Sequence, residues 1–281
     1  MCKLPLEFHD PPREIIHPNR ERDIVLPPGG VSMTFVWCPP GRFMMGSPET
    51  ENGHYLNESR HEEVIAKGFW IGKFPVTQEQ YESLTGENPS AHQAELMLIG
   101  TSCPVECITH QMAESFCDLM NRKTDLAGLK AALPSSVQWE YACRAGCSSA
   151  LNNGTEITFK YGRCWNLEEV AWNPLDKVAC PQPVGGKKPN AWGIYDMHGN
   201  VWEWCAERYI HISKKGIVSE PGEEHIVRGG SFRTYPKYHR SACIFRKYSN
   251  KRLLESPDNR AFFLSDVGFR IVLNPVDAET T

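Results

Sequence analysis

A chain of 281 residues, 41% hydrophobic and 23% charged, can bury one substantial core and is too apolar for wholesale disorder. Its net charge of −4 gives no global basic field, which argues against nucleic acid or an anionic membrane surface as partner. No apolar run reaches the ~18 residues of a membrane helix, and the N-terminal MCKLPLEFHDPPREIIHPNR lacks a signal peptide's apolar region, so no membrane span and a cytoplasmic location are expected.

Residues 1–25 are polar and proline-bearing and read as an extension; 26–275 have the texture of one domain, and 276–281 form a tail. The first strand is expected at Ser32–Trp37, stopped by Pro39-Pro40-Gly41, and a second at Arg42–Met45, ended by Gly46-Ser47-Pro48. Residues 48–61 are polar and loop-like, and Glu63–Phe74 suits strands centred on Phe69-Trp70-Ile71. Thr77 can cap a helix over Gln78–Leu84 closed by Gly86. Thr109 can cap His110–Arg122, with Met112, Phe116, Cys117 and Met120 as its buried stripe. Ser135 or Ser136 can cap a helix running to Ala145 and stopped by Gly146. Loops and short strands follow, tryptophan-rich over 164–204, then His225–Phe232 and Val267–Leu273. Few helices beside many short strands predict an α+β domain, and no G-x-G-x-x-G or G-x4-G-K-[ST] exists to hold a nucleotide.

Twenty-two glycines, 21 prolines and eight tryptophans favour a loop-rich fold whose tryptophans fill the core. Eleven cysteines, an odd count without a signal peptide, read as reduced thiols acting as small buried hydrophobes. Cys103-x3-Cys107 and Cys143-x3-Cys147 approach zinc spacing without the stronger C-x2-C form, so structural zinc is the lesser reading.

The densest segment is Asn190-Ala-Trp-Gly-Ile-Tyr-Asp-Met-His-Gly-Asn-Val-Trp-Glu-Trp204. Its acids and carbonyls could surround a hard cation such as calcium, or its acids could cap amides in a packed turn; spacing alone favours the turn. The segment resembles the G-x-Y-D-M-x-G-N-V-W-E-W signature of the formylglycine-generating-enzyme (sulfatase-modifying factor) family. Pro39–Ser47, Lys67–Gln78, Pro104–Thr109, Leu133–Gly146, Val227–Phe232 and Val267–Arg270 resemble further blocks, in the family's order. The resemblance implies a single C-type-lectin-like α+β domain with little regular structure, and places Trp202, Trp204 and Phe269 in core-like blocks. It also implies a structural calcium held by the Asp196 side chain, the Gly199 and Val201 carbonyls and Glu203. A second family calcium site corresponds loosely to residues 164–180.

Formylglycine-generating members oxidise a sulfatase cysteine with copper(I) held by a C-x4-C pair after the R-G-G-S block; soft thiolates suit that ion. Aligned forward from Arg228, the pair falls on His239 and Ile244; backward from Arg246, on Pro236 and Ser241. Cys243 is the only cysteine after Cys205, so no such pair exists and copper is not expected. Cys243 with His239 is the weak catalytic candidate that remains, as a His-x3-Cys chelate in a copper- or iron-dependent oxidase of altered chemistry acting on a thiol substrate. The resemblance extends to ergothioneine-type sulfoxide synthases, but these carry an N-terminal helical bundle, and 25 residues are too few for one.

A third branch keeps the fold without oxidase chemistry and binds through its C-terminal loops, as do variable proteins of diversity-generating retroelements. Aromatics interleave with cations over residues 232–250, as on recognition surfaces. Arg233, Tyr235, Tyr238, His239, Arg240, Ser241 and Tyr248 are the expected contacts to a peptide, protein or glycan ligand. The expectation is a non-catalytic or divergent member, with ligand identity and oligomeric state left open.

Overall fold

A computed structural model describes residues 20–93, 101–158, 163–176, 180–210, 212–213, 216–217, 223–248 and 264–276. Strand β1 (Glu21–Leu26) begins inside the expected extension and pairs antiparallel with β2 (Val31–Cys38), Ile24 facing Met33. Ile24 and Leu26 are buried core residues, and alternation of buried and exposed positions is the strand signal that charged Glu21-Arg22-Asp23 obscure.

A hairpin of β3 (Gly41–Met45) and β4 (His61–Ile65) follows, then β5 (Phe69–Gly72) beside β2, where Trp37 faces Trp70 with ring centroids 5.3 Å apart. Helix α1 (Gln78–Thr85) starts at a capping box, the Thr77 hydroxyl accepting from Gln80 N–H while the Gln80 side chain accepts from Thr77 N–H. It ends at Gly86, whose left-handed φ of +86° suits a residue without Cβ. Helix α2 (His110–Lys123), capped by Thr109, buries His110, Ala113, Phe116, Cys117 and Met120, with Met112 only half-buried. After β6 (Leu129–Ala132), helix α3 (Ser136–Arg144) has Ser135 as its cap, and Ala145 takes the left-handed C-cap just before the expected Gly146.

The short α4 (Trp165–Glu168) opens a loop-rich stretch that leads to β7 (Trp202–Arg208). Strands β8 (Ile212–Ser213) and β9 (Gly216–Ile217) pair locally; β10 (Glu224–Arg228) and β11 (Phe245–Tyr248) flank the C-terminal loop. The chain closes with β12 (Val267–Phe269) and β13 (Val272–Pro275). One sheet runs β1-β2-β5-β13-β6, all antiparallel; the other runs β11-β10-β7-β12, with β7 and β12 parallel. Helices α1 and α2 cover the first sheet through Tyr81, Leu84, Phe116 and Met120. Trp139, Trp202 and Trp204 are fully buried, whereas Trp165 is 56% exposed, so the tryptophans fill the core only in part. The ten described cysteines are free thiols, nine of them buried. No helix among the described residues is long and apolar enough to cross a membrane.

Candidate functional site

The C-terminal loop begins where β10 stops, at Gly229 and Gly230, both left-handed with φ of +93° and +79°. A Cβ on Gly230 would lie 2.9 Å from the His239 ring, so glycine lets the loop fold back on itself. The Ser231 hydroxyl donates to Asp266 (2.7 Å), its N–H donates to the Thr234 hydroxyl (2.8 Å), and a 3₁₀ turn covers Pro236–His239.

The structure divides the seven expected ligand contacts. Tyr235 and Tyr248 are 72% and 59% exposed. Arg233 is half-buried and donates to the Ser265 hydroxyl (2.7 Å). Tyr238 is half-buried against Trp202 and Phe245. His239, Arg240 and Ser241 are fully buried, which corrects their reading as surface contacts. Each has a partner inside: His239 Nδ1 donates to Tyr235 O (3.2 Å), the Ser241 hydroxyl donates to Ala150 O (3.0 Å), and Arg240 meets two acids.

Arg240 is the main surprise of the loop. Its guanidinium forks onto both Glu58 oxygens (2.7 and 2.9 Å), reaches Glu51 (2.7 Å) and donates to Gly53 O. The polar 48–61 loop is thereby a second wall of the same surface. Tyr55 stacks on Tyr238 with centroids 6.3 Å apart, and Asn57 donates to Ile244 O (3.2 Å). Sequence reasoning missed Glu51, Tyr55 and Glu58 because their partner lies up to 189 residues away. The only local hint is that acids recur in this loop, at Glu49, Glu51 and Glu58.

Cys243, the weak catalytic candidate, is completely buried, and burial pushes its thiol up to about 12. A thiol so strongly disfavoured as thiolate is a poor nucleophile or soft-metal ligand. Burial holds its companion His239 low, at about 4, with Nε2 buried and unpartnered. The described residues contain no group of three or more His, Cys, Asp or Glu able to hold a metal. Cys143 instead sits 3.7 Å from His198 Nε2 and 3.6 Å from the Ser241 hydroxyl, in the interior.

At the 190–204 loop, the two acids part ways. Asp196 is buried; its Oδ2 accepts from Gly185 N–H (2.7 Å), while Oδ1 is buried with no partner, an oxygen that fits a hard cation. Its pKa is pushed up to about 6, chiefly by burial. The Glu203 carboxylate is occupied: it accepts from Trp139 Nε1 (2.7 Å) and from Arg270 Nε and Nη2 (3.0 and 2.9 Å). The expected four-ligand set thus retains one side-chain oxygen free for calcium, at Asp196. In the 164–180 loop, Asp176 is held by Lys187 Nζ (2.8 Å), which also donates to Glu168 O (2.7 Å) and lies 4.2 Å over the Trp172 ring.

The sulfatase-modifying factor enzyme 1-like domain model matches residues 28–275. A Paenibacillus barcinonensis protein described as chaperone protein LppX is 28% identical over 213 residues, covering 59% of this chain and 70% of that protein. The mouse formylglycine-generating enzyme is 28% identical over 223 residues, covering 75% of this chain; the chain spans 52% of that enzyme's length. The solved Treponema denticola variable protein 1 superposes with a TM-score of 0.69 at 20% identity, over 91% of this chain and 99% of that one. That likeness concerns the fold, which is the C-type-lectin-like α+β arrangement.

Proposed function

This chain belongs to the sulfatase-modifying factor enzyme 1-like family, and from that premise we propose that it is a divergent member that binds a peptide, protein or glycan ligand without formylglycine chemistry. One observation carries the reading: Cys243, the sole cysteine after Cys205, is completely buried. Oxidation of a substrate thiol on paired copper thiolates needs two cysteines open to the substrate. What the loops present instead is aromatic and cationic: Tyr235, Tyr248 and Lys237 are exposed, with Tyr55 and Leu56 beside them on the 48–61 loop. Tyrosines offer large rigid area with a polar tip at low entropic cost. A calcium ion at Asp196, with the Gly199 and Val201 carbonyls, completes the proposal as a structural element.

The test has two arms. Copper-loaded protein incubated with a sulfatase-type cysteine peptide is expected to show no loss of sulfur by mass spectrometry. A Tyr235→Ser, Tyr248→Ser double variant is expected to fold normally and to lose whatever partner co-purifies with the parent. Turnover of the peptide would overturn the reading, as would undiminished partner capture.

The second reading, a metal-dependent oxidase of altered chemistry, draws support from the unpartnered His239 Nε2. Stoichiometric copper that disappears in Cys243→Ala would establish it over the first.

A further inference from the structure

We infer that Tyr55, Lys237 and Tyr238 form an oxyanion-binding site on the loop surface, taking a carboxylate, sulfate or phosphate group of the ligand. The inference rests on the ligand-binding reading of that surface and adds the chemistry recognised there.

The two tyrosine rings lie nearly parallel, 14° apart in plane and 6.3 Å between centroids. Lys237 Nζ stands 5.8 Å from the Tyr55 ring centre and 4.9 Å from that of Tyr238. The Tyr55 hydroxyl lies beside the Tyr238 hydroxyl and the Lys237 ammonium, so the three polar tips converge. An ammonium brings three N–H donors and each hydroxyl one, while only the two hydroxyl oxygens accept. The cluster therefore holds more donors than acceptors, and its formal charge is positive. The Tyr55 hydroxyl beside it favours the charged form of Lys237 further.

Among the described residues, no acid forms an ion pair with Lys237. Glu51 and Glu58 are already spent on Arg240, whose guanidinium lies 5.9 Å from the Tyr55 ring centre. On a chain of net charge −4, this is a local positive spot with aromatic walls. Planar or tetrahedral oxyanions accept several such donors at once, and charge-assisted bonds are the stronger kind.

The cluster is also built in place. Gly53 has a left-handed φ of +91°, and a Cβ there would come within 3.0 Å of Arg240 Nε and 3.1 Å of Lys237 Cβ. Only glycine allows the two loops to approach this closely. Because the lysine is already held by two rings, binding does not have to freeze a free side chain, which lowers the entropic cost of capture. Exposed Tyr235 and Leu56 (72% and 50%) flank the spot and suit the apolar body of a ligand that carries the anion.

The experiment follows the tyrosine Cζ resonances of ¹³C-tyrosine-labelled full-length protein, assigned with Tyr55→Phe and Tyr238→Phe. Sodium sulfate, sodium phosphate and N-acetylglutamate are titrated against sodium chloride at equal ionic strength. Saturable shifts of Tyr55 and Tyr238 are expected with at least one oxyanion, and at least tenfold weaker binding in Lys237→Gln, whose melting temperature should match the parent's. Response to N-acetylglutamate alone assigns the site to a carboxylate, and response to sulfate or phosphate alone to an esterified tetrahedral group. A response no different from chloride, or one unchanged in Lys237→Gln, overturns the site. Tyr235→Ser, Tyr248→Ser should keep the oxyanion response. Partner capture without any oxyanion response therefore refutes this site alone, and the reverse refutes the ligand-surface reading alone.

Discussion

His110 and His225 stack face to face, their ring centroids 3.7 Å apart and their planes 22° from parallel, joining α2 to β10. Trp204 meets both rings edge-on, and His110 Nε2 donates to Cys205 O (3.0 Å). Two imidazolium ions could not share this geometry, and Arg208 adds a third positive charge, with Glu114 on α2 as the acid nearby. Burial first, then His110 and Arg208, push His225 down to about 4, and burial lowers His110 as well.

This stack predicts acid lability with a defined sign. A histidine whose folded pKa is depressed contributes stability that is complete above its unfolded value of 6.5 and is lost as pH falls through the folded value near 4. Buried His198 and His239, held near 3 and 4, act in the same direction. Melting temperature should therefore fall from about pH 6.5 to about pH 4. His225→Phe, which keeps an aromatic ring in the stack, should flatten that slope. An identical slope in the variant would show that the stack does not titrate.

Arg240 should behave as the structural clamp of the two loops. Arg240→Met leaves Glu58 and Glu51 inside without their counter-charge, and breaking a buried pair from one side costs about 3–5 kcal/mol. Urea unfolding measures the loss. A change below about 1 kcal/mol, the range of surface substitutions, would mean the acids find water instead.

The two acids of the 190–204 loop should separate in their response to calcium. Glu203→Gln strips Arg270 of its partner and should destabilise the protein, yet leave any melting shift on chelation in place. Asp196→Ala should abolish that shift. Asp196 has a raised folded pKa, so its contribution is present below pH 3.8 and is lost as pH rises through about 6. Calcium at Oδ1 would offset that loss, and its stabilising effect should grow as pH rises through about 6. Melting curves with calcium and with chelator at two pH values decide it.

Thiol reactivity should follow burial. Among the described cysteines, Cys147 is the one that is not buried, so a maleimide should label it in the native state and leave Cys243 untouched until unfolding. Peptide mapping after brief labelling reads this directly. Native labelling of Cys243 would place its thiol on a surface and revive the oxidase reading.

Tyr238 should differ from its neighbours in the loop. It packs on Trp202 and Phe245, so Tyr238→Ser should lower stability, whereas Tyr235→Ser and Tyr248→Ser should each stay within about 0.5 kcal/mol. Tyr238→Phe keeps the packing and removes only the hydroxyl, which isolates its part in oxyanion binding.

What the sequence determined by itself is local in its physics. The caps at Thr77, Thr109 and Ser135 and the left-handed stop at Gly86 were legible because each depends on residues within one turn. The lack of a C-x4-C pair after Cys205 is a matter of composition and needs no coordinates. The motif blocks likewise marked Trp202, Trp204 and Phe269 as core, and all three are buried. Tertiary structure alone decided which members of the 232–248 segment face water. Arginine and histidine are ordinarily exposed, and nothing near Arg240 in the chain announces Glu58, 182 residues earlier, as the charge that lets it be buried. The same holds for Glu203, which reads as a metal ligand by motif and becomes the partner of Arg270, 67 residues on. Buried charge is tolerated only when paired, and the pairing is chosen by whichever segments the fold packs together.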